Sequence, residues 1–535
     1  MPARVMAQPT CHSASRLRRR RSVVRASAGN NRRNEEGTMY KLRLLMSAGT
    51  LVGMLAGTAH AARVMDMTGN TETVTGTGLV TEPDGFLQMG SPYSGGQGLE
   101  TETAVPFSSP QPGAVNMRIN LEVNEFPMAT WWTGMNGNGT ATPGNKQQPY
   151  GIAGYIRLDF GLDGMTKNGI RYGGFTEIRE NNTTNITGSS TAVTTTTGTG
   201  TLTGVSSGFA QSASADAADN TLFVRQANVY AGTDNVGFVR IGTGIGAQTL
   251  YEVGLLDDFD WGGWNQFDGG INAPTNVEPI WPWADDGAEY MAARVMYVSP
   301  VIDGFDFGVS FAPNNSTPFD GSGCSSAFGG VGCATQSSST LSGDFTNRYR
   351  NEVGLALRYR NNFGPVGVAV SGIYTTSGQV NDAAAASQPY KGLNIGDVGA
   401  AIQLNKQIEI AGNVMWGAFN GSWGLQPVGG ATAVAWVAGA KYTIPQVPMT
   451  LGAYYFNYKN QGQPDLPTQR TEQGLDVGAV YGLGPGVVLL AEYAWGQRYQ
   501  GDYNFLTGAF GGQAGANLDN KVQVQLLTAG VSVRF

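Results

Sequence analysis

Acidic side chains are concentrated between residues 244 and 289, a segment that contains neither Lys nor Arg. Carboxylate oxygens are the ligands that hard cations such as Ca²⁺ prefer, but the spacing here matches no calcium-binding loop. We therefore predict neither a metal site nor a cofactor, with calcium as the less favoured alternative. The candidate site acids among them are Asp257, Asp258, Asp260, Asp268, Glu278, Asp285, Asp286 and Glu289.

The chain carries an export signal near its start. Lys41 and Arg43 form a basic beginning, Leu44 to Gly57 an apolar stretch, and a small-residue cleavage motif ends at Ala61. This order is that of a secretory signal peptide, and the apolar stretch is short for a membrane-spanning helix. We predict a signal peptide at residues 39–61, cleaved near Ala61.

Residues 1–38 precede that signal and contain the basic run Arg18–Arg21. We interpret them as a non-functional extension from a mis-assigned start, because Met39 opens a complete signal of its own. A nucleic-acid-binding arm or a twin-arginine signal is the alternative.

Removal of residues 1–61 changes the chemistry open to the chain. It takes away 11 of the 33 Lys and Arg and two of the 40 acids, which leaves 22 basic and 38 acidic residues and a formal net charge of −16. That charge argues against nucleic-acid binding. Both histidines, His12 and His60, are also removed. Hydrolases and metal sites that depend on His are thereby excluded, and we predict that the protein is not an enzyme.

Two cysteines remain after cleavage, Cys324 and Cys333, with eight residues between them in a Gly- and Ser-rich stretch. In an oxidising compartment such a pair is typically joined as a disulfide. Two cysteines without His partners make a poor zinc site, so we predict the disulfide.

Strands of period two dominate residues 114–535. In Ala114–Phe126, apolar residues such as Val115 and Met117 alternate with polar ones such as Asn116 and Arg118. This alternation between a lipid-facing and a water-facing side is typical of membrane barrels. We predict strands at 114–126, 150–162, 169–180, 221–232, 236–243, 290–299, 305–312, 350–360, 365–375, 396–404, 408–416, 433–443, 449–458, 474–482, 486–495 and 522–535.

The linkers between these strands alternate without exception between long and short. The short ones hold turn residues such as Leu162-Asp163-Gly164 and Asn405-Lys406-Gln407, and the long ones are rich in Gly, Ser, Thr and Asn. Short periplasmic turns and long external loops characterise transmembrane β-barrels. The composition, with 78 Gly and only 14% charged residues, agrees. We predict an all-β, antiparallel transmembrane barrel of about 16 strands at 114–535, preceded by an unassigned periplasmic or lead-in segment at 62–113.

Four features of the chain resemble the general porin family of the Gram-negative outer membrane. The chain ends in Val531-Ser532-Val533-Arg534-Phe535, similar to the signal that the barrel-assembly machinery recognises. Residues 155–174 are similar to the first porin hairpin, and residues 225–242 to the hairpin before the constriction loop. The third long loop, 244–289, is long and acidic. The lead-in segment and the Thr/Gly tract at 191–205 depart from the pattern, which leaves the subfamily open, including 18-stranded sugar-specific relatives.

The resemblance implies a homotrimer in the outer-membrane bilayer, each barrel having its third loop folded into the pore. The loop acids would then face basic wall residues across a narrow aqueous gap, and the low-dielectric wall would focus the field between them. A solvated external loop is the alternative for the acids. The assignment of Arg225 to the wall rests mainly on the resemblance, because the alternation of apolar and polar residues around it is ambiguous. The candidate wall residues are Arg118, Arg157, Arg171, Arg225, Arg240 and Arg294, with Arg358 and Arg360 at the wall or near a barrel end.

These expectations predict a porin that forms a water-filled channel for passive diffusion of small polar solutes and ions. The net charge favours a weak preference for cations. A substrate-selective sugar porin is one alternative, because aromatic residues are numerous. A poorly conducting adhesive or structural barrel is another, in which the Thr-rich second loop and the loop with the two cysteines would bind surfaces.

Overall fold

The computed structural model of the protein describes the barrel strands and parts of the loops, beginning at residue 111. The described residues are 111–135, 149–181, 191–197, 200–206, 223–233, 235–256, 276–283, 292–314, 335–336, 349–379, 381–382, 390–405, 407–421, 423–484 and 487–534. The predicted extension, signal peptide and lead-in segment all lie outside them. Within the described residues, no helix is long and apolar enough to cross a membrane.

Sixteen antiparallel strands form one closed barrel, in which each strand pairs with its neighbours in chain order. They are β1 (Val115–Trp132), β2 (Tyr150–Met165), β3 (Arg171–Asn181), β4 (Phe223–Thr233), β5 (Gly237–Gly244), β6 (Ala292–Val298), β7 (Phe305–Asn314), β8 (Tyr349–Phe363), β9 (Val366–Gln379), β10 (Asn394–Leu404), β11 (Ile408–Ala418), β12 (Ala433–Thr443), β13 (Met449–Asn460), β14 (Arg470–Gly484), β15 (Val487–Tyr499) and β16 (Lys521–Arg534).

The first and last strands close the barrel by pairing with each other. Val123 is opposite Val533 and Trp131 is opposite Gln525 in the β1–β16 register. Closure removes the open sheet edges, which is the condition for a β-sheet to exist in a bilayer, because every backbone polar group is then paired. The predicted fold class is therefore confirmed.

All sixteen predicted strands are confirmed, and so is the alternation of loop lengths. The largest error is at β1, which continues six residues beyond the predicted end to Trp132. β14 begins at Arg470, four residues before its predicted start. In both cases the strand pairing extends beyond the residues in which apolar and polar side chains alternate.

Two small ribbons are built from the long loops. Thr191–Thr197 pairs antiparallel with Gly200–Ser206 within the Thr-rich second loop. Thr335–Gln336 pairs in parallel with Asn381–Asp382, which connects the fourth and fifth long loops.

The two faces of the barrel strands differ sharply in polarity. On β11 the outward residues Ile410, Val414 and Trp416 are exposed, whereas the alternating residues Glu409 and Asn413 are buried inside. Apolar side chains exposed in this regular pattern are unfavourable in water and favourable against lipid tails. The outer face of the barrel is thus suited to the hydrocarbon of a bilayer, and the functional groups lie inside.

Candidate functional site: the interior of the barrel

The outgoing arm of the third long loop, residues 245–256, follows the inner wall of the barrel. Near its start the Ala247 amide donates to Ser310 Oγ on β7 at 3.1 Å. Further along, Val253 O accepts a hydrogen bond from Asn413 Nδ2 on β11 at 3.1 Å. The arm therefore runs along the wall from β5, where it begins, to β11.

A single helical turn, α1 (Ala247–Leu250), begins this arm and is buried along its whole length. Gln248 on this turn donates through Nε2 to Glu352 Oε1 at 2.5 Å. Arg294 Nη1 lies 3.1 Å from the same carboxylate oxygen. Because a buried carboxylate costs free energy unless it is paired and hydrogen bonded, Glu352 holds both Gln248 and Arg294 in place.

The end of α1 is fixed by a cluster of aromatic and charged groups at the β7–β8 wall. The Tyr251 hydroxyl donates to Phe307 O at 2.8 Å, and burial raises the pKa of this phenol above its ordinary value. The Arg358 guanidinium lies 4.8 Å from the centre of the Tyr251 ring and donates to Leu250 O at 3.1 Å. Arg358 and Arg360 both contact Asp306, with nitrogen–oxygen distances of 2.7 and 3.3 Å. Arg358 and Arg360 are thus wall residues tied to one carboxylate.

The returning arm of the third loop, residues 276–283, packs against the wall at β11 and β13. The Trp281 ring centre is 4.5 Å from that of Trp283 and 5.2 Å from that of Phe456 on β13. Asn276 Nδ2 donates to Phe505 O in the last long loop at 2.8 Å. Both tryptophans are buried, so they pack the loop against the wall, and they do not form an exposed aromatic ladder.

Most of the predicted loop acids lie outside the described residues. These are Asp257, Asp258, Asp260, Asp268, Asp285, Asp286 and Glu289. Glu278 is described; it is half-buried on the returning arm. The role of all eight in narrowing the pore stays a prediction.

Two of the predicted basic wall residues have well-defined partners. Arg171, which is fully buried, forms an ion pair with Asp163 across the first short turn, and Tyr230 donates to the same carboxylate at 3.0 Å. Arg240 donates to Ile245 O at the base of the third loop and lies 3.3 Å from Met296 Sδ. Arg240 therefore secures the point at which the loop leaves β5.

The remaining basic wall candidates, Arg118, Arg157 and Arg225, are placed by strand position. Arg118 is opposite Gly161 and Arg157 is opposite Glu122 in the β1–β2 register. Arg225 lies at an irregularity: Gln226 pairs with Glu177 whereas Val224 pairs with Ile178, so Arg225 is the extra residue of a bulge. The bulge is the physical reason why the alternation around Arg225 is ambiguous.

Several interior residues were not predicted from the sequence. Asp397, Asn413, Gln248 and Glu352 hold the third loop, and Glu472 with Arg498 joins β14 to β15 near the external loops. Their inward strand positions could have been found from alternation, but their loop partners could not.

Among the residues that the structure describes, no group of three or more His, Cys, Asp or Glu is placed to hold a metal ion. The predicted disulfide partners Cys324 and Cys333 and the assembly residue Phe535 lie outside the described residues.

Comparison with known proteins gives one family match. The family model described as Gram-negative porin matches residues 48–502. None of the curated protein sequences matches the chain.

Solved structures of low sequence identity also match the chain. The anion-selective porin from Comamonas acidovorans is 14% identical with a TM-score of 0.44, and the match covers 79% of this chain and all of that one. A Salmonella typhi OmpF structure in complex with daunomycin is 13% identical with a TM-score of 0.46, covering 78% and 97% of the two chains. The outer membrane channel DcaP of Acinetobacter baumannii is 10% identical with a TM-score of 0.43, covering 80% and 100%.

Proposed function

This chain belongs to the Gram-negative porin family, and we propose that its outer-membrane diffusion channel is a homotrimer that passes small polar solutes with a weak preference for cations. The family match and the closed barrel identify the chain as a channel of the outer membrane. The proposal concerns its assembly, its ion preference and the residues that determine that preference. We assign no catalytic residues.

The proposed cation preference is supported mainly by the charge of the barrel interior. Among the buried charged residues of the described strands, ten are acidic and five are basic, and the slightly more exposed Arg358 and Arg360 of the wall add two bases. The chain after signal cleavage is also strongly acidic, with a formal net charge of −16. A negative potential inside a low-dielectric wall raises the local concentration of cations. The buried acids are Glu122, Asp163, Glu177, Asp306, Glu352, Asp397, Glu409, Glu472, Asp476 and Glu492, and the bases are Arg171, Arg240, Arg294, Lys441 and Arg498.

We further propose that the third-loop acids add to this potential at the narrowest part of the channel, opposite the basic residues of β1–β5. Support comes from the described arms of the loop, which are held against the wall from β7 to β13. The walls at β1–β5 and β14–β16 are then the sides that remain to face the middle of the loop across the interior.

The test is a reversal potential in a KCl gradient across a planar bilayer containing the purified protein. We expect a potential of the sign for K⁺ preference, reduced when Asp257 and Asp258 are both replaced by Asn. The matched control is Asp303→Asn, which removes a carboxylate from an exposed short turn and should leave the potential unchanged. Preference for chloride in the unmodified protein would overturn the proposed selectivity. Closing in three equal steps supports the trimer, and single-step closing contradicts it.

A further inference from the structure

The wall at β10 and β11 has a flat patch of backbone on which the outgoing arm of the third loop rests. A Cβ atom added to Gly399 would lie 1.7 Å from Val253 O, closer than any side chain can approach. On the loop side, Gly254 has a φ of +102°, and a Cβ there would lie 2.2 Å from Gly412 O. Because Gly399 on the wall and Gly254 on the loop carry no Cβ atom, the two backbones touch directly. The outgoing arm of the loop therefore docks on this patch through direct backbone contact.

One wall side chain, Asn413 on β11, lies beside this patch and bonds to both arms of the loop. Its Nδ2 donates to Val253 O of the outgoing arm at 3.1 Å. Its Oδ1 accepts from Trp283 Nε1 of the returning arm at 2.7 Å. Val253 and Trp283 are thirty residues apart in the chain, and Asn413 is buried. The same amide therefore joins two distant points of the loop to a single point on the wall.

Asp397 on β10 fixes the direction of this amide. Its Oδ1 accepts the second hydrogen bond of Asn413 Nδ2 at 2.9 Å, so both amide protons and the carbonyl oxygen of Asn413 are used. Asp397 also has a hydrogen bond with Glu252, the residue before Val253. Two acceptors on one side and an indole N–H on the other admit a single orientation of the Asn413 side chain.

We propose that Asn413 is a positioning residue that clamps both arms of the third loop to the wall and thereby sets the free cross-section of the channel. Asp397 orients the clamp, and the Gly399–Gly412 patch seats it. The family match assigns no role to any of these residues. Because the contribution of Asn413 depends on its two N–H donors, an isosteric residue that lacks them separates the clamp from simple space filling.

The decisive variant is Asn413→Asp, which keeps the shape and replaces the donors by a carboxylate facing Asp397 and Val253 O. At neutral pH we expect hydrogen exchange of the amides in 245–256 and 276–283 to become about tenfold faster than in the wild type. We also expect open-channel current noise to rise several-fold. At acid pH the protonated carboxyl regains one donor, so both quantities should move back toward the wild-type values.

Two further variants separate the clamp from a general loss of structure. Asn405→Asp makes the same chemical change in an exposed short turn and should match the wild type in both measurements. Gly399→Ala places a methyl group where Val253 O lies and should loosen the outgoing arm at every pH.

The outcomes are distinct. Wild-type exchange rates in a folded, heat-modifiable Asn413→Asp barrel at neutral pH would overturn the clamp, as would faster exchange that acid does not reverse. If Asn413→Asp fails to fold, Gly399→Ala decides: unchanged exchange in residues 245–256 overturns the docking position. Faster exchange with unchanged noise retains the clamp but removes its effect on the channel. The clamp is thus tested by exchange even if the wild-type protein conducts no current.

Discussion

Arg498 and Glu472 face each other across the β14–β15 pair as a buried ion pair with two hydrogen bonds. Arg498 Nε lies 2.8 Å from Glu472 Oε2, and Nη2 lies 3.0 Å from Oε1. Glu472 is fully buried, and the Phe505 ring of the last long loop covers the guanidinium, with its centre 5.1 Å from Cζ. The ion pair therefore links the barrel wall to a loop that also contacts the third loop through Asn276.

Removal of one partner of this ion pair should strongly destabilise the barrel. Arg498→Met leaves the Glu472 carboxylate buried without its partner, which typically costs about 3–5 kcal/mol. The double variant Arg498→Met with Glu472→Met should recover most of that loss, because the buried Glu472 carboxylate is removed together with its partner. Urea-induced unfolding in lipid vesicles measures the difference. Lys459→Met, at an exposed position, is the control and should change the unfolding free energy little. Equal losses in the single and double variants would contradict the argument.

Tyr251 provides a pH-dependent prediction. Burial raises the pKa of its phenol in the folded state, with the nearby Asp306 charge as a smaller contribution in the same direction. A raised folded-state pKa stabilises the protein fully below the ordinary tyrosine value of about 10 and progressively less as the pH rises above it.

Tyr251→Phe should therefore lose stability at neutral pH and also become less sensitive to alkaline pH than the wild type. The lost hydrogen bond to Phe307 O is expected to cost about 1 kcal/mol at neutral pH. Unfolding midpoints measured from pH 7 to above the ordinary tyrosine pKa of about 10 provide the comparison. Parallel pH profiles of the wild type and the variant would show that Tyr251 does not titrate on unfolding.

The outward and inward faces of β11 predict opposite tolerance to charge. Ile410 is exposed on the outer face, 57% of its surface being accessible. Ile410→Lys places an ammonium group against lipid two residues from the start of the strand, where it costs less than the about 2–4 kcal/mol of a site at the bilayer centre. Ile410→Val keeps the apolar character and is the matched control. Folding yields in vesicles, read from the heat-modifiable band on a gel, should fall for the Lys variant alone.

The sequence predicted the strands and their order well because the information is local. Alternation within each strand, as in Ile408–Ala418, and turn residues between strands require no knowledge of distant contacts. The arrangement of the interior was not predictable in this way. Asn413 contacts Val253 and Trp283, which lie 160 and 130 residues away in the chain, and nothing in the local pattern connects them. The alternation around Arg225 was ambiguous for a different reason, since a bulge interrupts it there.

The bulge at Arg225 gives the sharpest test of the strand register. Because Val224 pairs with Ile178 and Gln226 with Glu177, deletion of Arg225 would leave Val224 outside and Gln226 inside in regular alternation. Gln226 would keep its 2.9 Å hydrogen bond to Glu177. We therefore expect a chain that lacks Arg225 to fold and to migrate as a heat-modifiable barrel.

Deletion of Val229, a regular outward residue on the same strand, is the matched control for the bulge. It shifts the register by one, so that residues on one side of the deletion turn their polar side chains toward lipid. We expect this second chain to fail to assemble. If both deletions fold equally well, or if both fail, Arg225 is not the extra residue of the β3–β4 pair, and the inward position assigned to Gln226, Asn228 and Tyr230 would have to be revised.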